Sequence, residues 1–184
     1  MVATRSLTAD DLLTMPGDYE LIRGELREVS PSSAEPTIVA LNVSSPLYDF
    51  AVRLKLGRVT GADGGFVLFP DRRTVVAPDV GFIRRERIPP TLDYQHYFPV
   101  PPDFALEVMS PTDHFSEVME KVQLYLEAGV CLIWVAVPKR RVVVVCRLGQ
   151  EQQTLTENDE LDGEDVIPGF RISVRDVLAD PLAE

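Results

Sequence analysis

Apolar positions along this chain alternate between helical spacings of three and four and short continuous runs, which predicts helices interleaved with buried strands. Ser6 to Leu13 reads as a short helix capped by Thr8 or Ser6, with Asp10 and Asp11 at its positive end and Pro16-Gly17 stopping it. Tyr19 to Ile22 and Glu25 to Val29 are strands around Arg23-Gly24, a tight hairpin, and Ser30 to Glu35 is a loop. From Pro36 to Leu56, residues Ile38, Leu41, Leu47, Phe50, Ala51 and Leu54 predict a helix kinked at Pro46 and followed by Gly57.

Val59 to Phe69 and Thr74 to Ile83 read as two strands joined by the turn Pro70-Asp71-Arg72-Arg73. Five prolines together with Tyr94, Tyr97 and Phe98 make Arg84 to Pro102 an extended loop. Phe104 to Met109 is the next strand, and Ser110-Pro111-Thr112-Asp113 leads into a helix that ends near Ala128, with Gly129 as its stop. Phe115, Val118, Met119, Val122, Tyr125 and Leu126 form its apolar stripe, and Lys121 lies one position beyond the stripe's edge. Cys131 to Val137 and Val142 to Leu148 pair as strands. The tail from Gln152 alternates short strand-like pieces with turns at Gly163 and Pro168-Gly169, and no internal repeat is present. This order predicts a mixed sheet with helices packed against it, an α/β or α+β fold.

With 184 residues, 45% hydrophobic and 26% charged, the chain fits one globular domain spanning residues 1–184. The apolar runs Leu132 to Val137 and Val142 to Cys146 fall far short of the roughly 20 residues a membrane-spanning helix needs. The N-terminus carries no apolar signal core, so a soluble, cytoplasmic protein is expected. Cys131 and Cys146 flank a hairpin turn and are expected to be free thiols in a reduced compartment rather than a bridge. A net charge of −11, from 29 acids and 18 basic residues, argues against a protein that coats nucleic acid through phosphate contacts. Only local basic faces remain, at Arg53, Lys55 and Arg58, at Arg72 and Arg73, at Arg84, Arg85 and Arg87, and at Lys139 to Arg141. Each of these reads first as a solvated turn or strand end.

Two acids change the picture. Asp79, in Ala77-Pro78-Asp79-Val80-Gly81-Phe82, and Glu107, in Phe104-Ala105-Leu106-Glu107-Val108-Met109-Ser110-Pro111, sit inside apolar runs. A carboxylate is costly there unless something pairs with it or binds it. On neighbouring strands the two would converge, and paired carboxylates suit a hard dication such as Mg²⁺ or Mn²⁺. A lysine close by, Lys121, would orient or deprotonate a metal-bound water. The competing reading caps each acid with backbone amides or an arginine.

These motifs resemble the Uma-two family of restriction-endonuclease-like proteins, related to the wider PD-(D/E)xK nucleases. The resemblance runs nearly end to end. It is carried by Leu7-Thr8-Ala9-Asp10-Asp11-Leu12-Leu13, by Tyr19-Glu20-Leu21-Ile22-Arg23-Gly24-Glu25-Leu26, by Pro78-Asp79-Val80-Gly81-Phe82, by Leu106-Glu107-Val108-Met109-Ser110-Pro111, and by Lys121 with Tyr125, Ala128-Gly129-Val130 and Ile133-Trp134-Val135. It implies a restriction-endonuclease-like mixed β-sheet core flanked by α-helices, with Asp79 and Glu107 as metal-binding acids and the Val108 carbonyl as a further ligand. Glu20 would be the accessory acid. Met109 stands where the nuclease pattern places its lysine, so that role passes to Lys121. DNA is the implied substrate, cut in a Mg²⁺-dependent reaction through a metal-activated water, and a homodimer the implied assembly.

The family often carries a histidine before the second helix, where Glu35 stands here. His96 and His114 lie elsewhere, and His114 reads as a capping or surface residue. Glu20 has a rival reading as a partner of Arg23 or Arg27, Lys121 as a side chain snorkelling along the stripe, Glu25 as a hairpin acid, and Tyr125 and Trp134 as core aromatics. Two other functions fit the same residues: a catalytically silent binding or assembly module using the Arg84 to Pro102 loop, and a metal-dependent hydrolase of small phosphorylated substrates.

Overall fold

The computed structural model describes residues 6–180 and 182. Its strands are β1 (Tyr19–Ile22), β2 (Glu25–Glu28), β3 (Gly57–Thr60), β4 (Phe66–Val67), β5 (Val75–Val76), β6 (Val80–Arg84), β7 (Phe104–Val108), β8 (Leu132–Val137), β9 (Val142–Arg147), β10 (Gln153–Thr156), β11 (Glu160–Asp162) and β12 (Arg171–Ser173). Its helices are α1 (Ala9–Leu13), α2 (Ala34–Leu54), α3 (Phe115–Glu127) and α4 (Val174–Val177).

A six-stranded sheet of order β10-β9-β8-β7-β6-β3 forms the centre. Only β7 and β8 are parallel within it, joined by α3 as a crossover helix. Strand alternation sorts its residues onto two faces. Val80, Phe82, Phe104, Leu106 and Trp134 pack with Val39, Val43, Leu47 and Ala51 of α2. On the other face Ile83, Ala105, Ile133, Val135 and Val144 pack with Val122, Leu124 and Tyr125 of α3. A smaller sheet, β2-β1-β5-β4, carries the N-terminal hairpin, with α1 against it, and β11 pairs with β12. Thr8 and Asp11 close the capping box of α1.

The two long strands expected over 59–69 and 74–83 are each broken, and each gives one piece to each sheet. Their first and last pieces, β3 and β6, pair in the large sheet, while the inner pieces, β4 and β5, pair in the small one. Glycines at 61, 64 and 65 interrupt the first run. A Cβ on Gly65 would lie 2.5 Å from the Tyr97 ring, which the loop returning from Arg84 presses against it. Pro78, which has no N–H for a ladder, interrupts the second. Asp79 is thereby placed on the crossing between sheets rather than inside a strand.

Helix α2 begins two residues before the expected Pro36 and runs unbroken through Pro46. Its buried face is Val39, Val43, Leu47 and Ala51, so that Ile38, Leu41 and Leu54 are left exposed. Lys55, at φ 56°, supplies the left-handed cap expected of glycine. Gly57 instead opens β3, where a Cβ would come within 2.0 Å of the Ile83 carbonyl. The extended loop opens with a single 3-10 turn over Arg85–Arg87, and Phe98 returns to stack on Phe66 at 4.9 Å. Cys131 and Cys146 are both free thiols, and the strand register sets Ile133 opposite Cys146. Among the described residues no helix is long and apolar enough to cross a membrane.

Candidate active site

Glu107 is the penultimate residue of β7. Alternation turns it away from the α2 side, where Leu106 and Val108 point, and toward α3. Lys121 and Tyr125, four residues apart on one face of α3, both meet it there. Lys121 Nζ lies 3.0 Å from Glu107 Oε1 and 3.2 Å from Oε2, and Tyr125 Oη donates to Oε1 across 2.7 Å. Glu20 arrives from β1 in the other sheet. Its Oε1 lies 2.7 Å from Lys121 Nζ and accepts the Ala77 N–H at 2.8 Å, while the Ala77 carbonyl accepts from Lys121 at 3.1 Å. The backbone between β5 and β6 is thus tied to both an acid and the lysine.

Asp79 follows directly. The β6–β7 register pairs Val80 with Leu106, and one step further along it sets Asp79 across from Glu107. Asp79 Oδ2 accepts the Val108 N–H at 2.7 Å. The four side chains singled out in the sequence, Glu20, Asp79, Glu107 and Lys121, therefore meet where the two sheets and α3 join, and Val108 enters through its amide.

Burial sets the electrostatics. It pushes Glu107 up to about 7 against the opposing pull of Lys121, with Asp79 and Glu20 adding to the rise. Burial also raises Asp79, although the Val108 amide and Lys121 oppose it. For Lys121 burial acts in the other direction, but Glu107 and Glu20 outweigh it and hold the ammonium above its ordinary range. Tyr125 is raised by burial and by the charge of Glu107. Three carboxyl groups face one ammonium, so the site is short of positive charge.

That shortage, and an all-oxygen donor set in Asp79 and Glu107, fit a hard dication. Among the described residues no three His, Cys, Asp or Glu side chains form a ready metal cluster. The Lys121 ammonium stands between Glu20 and Glu107.

The rival pairings for Glu20 are occupied elsewhere: Arg23 binds Glu127 at 3.2 Å and Arg27 binds Glu120 at 3.6 Å. Lys121 does not snorkel to water, its side chain being 18% exposed. Tyr125 is a core aromatic, as its place in the stripe indicates, and also a ligand of Glu107, which its spacing of four from Lys121 could have signalled. Asp103 is fully buried, although its place after Pro101-Pro102 at the start of an apolar run gives no motif that marks it. It receives Arg84 Nε at 2.8 Å and Arg87 at 2.9 Å. His96 pairs with Asp93, His114 is the residue preceding α3 and makes no side-chain cap, and Glu35 is exposed in the first turn of α2.

The architecture is that of a nuclease-type fold. A solved structure from Anabaena variabilis ATCC 29413, described as "a putative nuclease belonging to DUF820", superposes with a TM-score of 0.79 at 20% identity, over 94% of this chain and 97% of that one. The chain belongs to the Uma2 family, described as "Putative restriction endonuclease", whose family model matches residues 9–175. A comparison with curated proteins gave no significant match.

Proposed function

We propose that this protein is a Mg²⁺- or Mn²⁺-dependent nuclease that hydrolyses DNA phosphodiester bonds. The observation that carries the reading is the convergence of Glu20, Asp79, Glu107 and Lys121 on one point, with the site left short of positive charge. Family membership and fold support it. Asp79 and Glu107, with the Val108 carbonyl, would hold the ion, which when bound would polarise the phosphate and acidify a water. Lys121 keeps its proton, since two carboxylates hold it above the ordinary lysine range, so it acts by orienting the nucleophile and offsetting developing negative charge rather than as a base. Glu20 and the Ala77 carbonyl fix the ammonium in place. In the reaction the water oxygen bonds to phosphorus and one P–O ester bond breaks. The proton lost by the water is balanced by the one gained by the departing alkoxide. A homodimer that engages both strands belongs to the same proposal.

A second reading, a silent module that keeps the fold, draws on one observation: Lys121 bridges Glu20 and Glu107 and so gives both acids a structural partner. Calorimetric titration of Mg²⁺ and Mn²⁺ into the wild type, Asp79→Ala and Glu107→Ala separates the two, with folding of all three checked by circular dichroism. Binding in the wild type that both variants lose, together with metal-dependent cleavage of DNA, is the expected result. Absence of binding in the wild type with DNA present would establish the silent module.

A further inference from the structure

In a chain this acidic most arginines find a carboxylate, yet three cations without one gather at the end of the large sheet remote from Glu107. Among the described residues Lys55, Arg58 and Arg85 enter no ion pair. The pairing of β3 with β6 assembles them: Gly57 lies opposite Arg84, Arg58 lies opposite Ile83, and the Arg85 N–H donates to the Leu56 carbonyl at 2.8 Å. Lys55, Arg58 and Arg85 line a cleft of about 440 Å³ with Val52 and Ile88 in its wall. Of the nearby acids, Asp93 pairs with His96, and Glu86 stays exposed. Asp103 takes Arg84 and Arg87, and Glu86 lies 3.9 Å from Arg84 Nε.

An aromatic ring completes the cluster. Tyr94, 75% exposed, is held by Arg58, which donates to its hydroxyl at 2.8 Å and sets its guanidinium carbon 5.2 Å from the ring centroid. Guanidinium forks match phosphate oxygens, and a fixed, exposed ring beside them offers a base a stacking surface, which an acidic peptide would not need.

We infer that this cleft is a second nucleic-acid site: phosphates of a single strand seat against Lys55, Arg58 and Arg85 while a base stacks on Tyr94. The identity of the ligand rests on the nuclease reading, but the site shares no residue with the carboxylates. The two sites lie at opposite ends of β6, the carboxylates where it begins and the cations just after it ends.

The test is fluorescence anisotropy with a labelled oligothymidylate of about 12 nucleotides, in chelator so that nothing is cut. The folded triple variant Lys55→Ala, Arg58→Ala, Arg85→Ala is expected to bind at least about 10-fold more weakly than wild type, and its slope of log affinity against log salt to be shallower by about 2. Tyr94→Ala is expected to weaken binding about 5-fold or more, and Tyr94→Phe, which keeps the ring but loses the hydroxyl that Arg58 holds, to weaken it less than Tyr94→Ala does. An unchanged affinity and slope in the triple variant would overturn the inference, as would no binding by the wild type or equally tight binding of inorganic phosphate. The two proposals fail separately: oligonucleotide binding with no metal-dependent cleavage removes the nuclease and leaves this site standing, whereas cleavage with an unweakened triple variant does the reverse.

Discussion

Tyr125 Oη donates to Glu107 Oε1 across 2.7 Å, from a position one helical turn beyond Lys121, so that a single face of α3 supplies both groups that hold the buried acid. Glu107 is stabilised partly by this bond, which opposes the effect of burial on its proton. Tyr125→Phe keeps the ring in the core and removes only the donor. It is expected to cost about 1 to 2 kcal/mol in denaturant unfolding and to raise the proton affinity of Glu107 further. An unfolding midpoint equal to that of wild type would show that the hydroxyl bond contributes nothing.

Among the described residues Lys121 is the sole ammonium beside Glu20, Asp79 and Glu107, and removing it strands buried carboxylates. Lys121→Met is therefore expected to lose about 3 to 5 kcal/mol at pH 8, where the acids are ionised, and clearly less at pH 5, where Glu107 takes up a proton instead. Mg²⁺ or Mn²⁺ should restore part of the loss at pH 8 by supplying the missing charge. Urea unfolding at both pH values, with and without metal, measures this. Equal losses at the two pH values would mean that Lys121 acts only through packing.

Much of this site was legible in the sequence because the chemistry opposes its surroundings. Asp79 and Glu107 are acids in apolar runs, and such positions demand a partner. Lys121 was legible through its place at the margin of a helical stripe. The site's position at a junction of sheets was not, because nothing in the hydrophobic pattern of 59–69 or 74–83 distinguishes one long strand from two short ones. Only packing decides that break, with Tyr97 against Gly65 and the absent N–H of Pro78. Helix α2 shows the same limit. Ile38 and Leu41 are as apolar as Val39 and Val43, and which pair faces the sheet follows from how the helix is rotated about its axis.

The raised proton affinity of Glu107 sets a pH dependence in the metal-free protein. Below about 4.5 its side chain is protonated both folded and unfolded, and its contribution is fully present. Between 4.5 and about 7 the folded state holds a proton that the unfolded chain has released, so stability falls as pH rises and the contribution is lost above that window. Asp79, also raised by burial, acts in the same direction. The carboxyls lowered in the fold, Asp93, Glu157 and Asp159, act below this range. Calorimetry in chelator should show Tm falling by roughly 5 °C from pH 5 to 7.5, with the slope flattened in Glu107→Gln. A Tm that climbs across this window would contradict the assignment.

Asp103 and its arginines provide a prediction independent of the metal site. The carboxylate is fully buried, whereas Arg84 and Arg87 keep about a third of their side chains in water at 33% and 34% exposure. Asp103 also accepts the Arg84 N–H at 2.8 Å, an interaction that an amide oxygen can replace. Removing the acid therefore leaves two arginines that can turn to solvent, while removing both arginines leaves a charge with no route to water. Asp103→Asn is expected to cost about 2 kcal/mol and the double variant Arg84→Ala, Arg87→Ala about 4 kcal/mol in urea unfolding. The order of the two losses is the decisive readout, because it follows from which partner is buried. The reverse order would place the cost of this cluster in the arginines and not in the carboxylate.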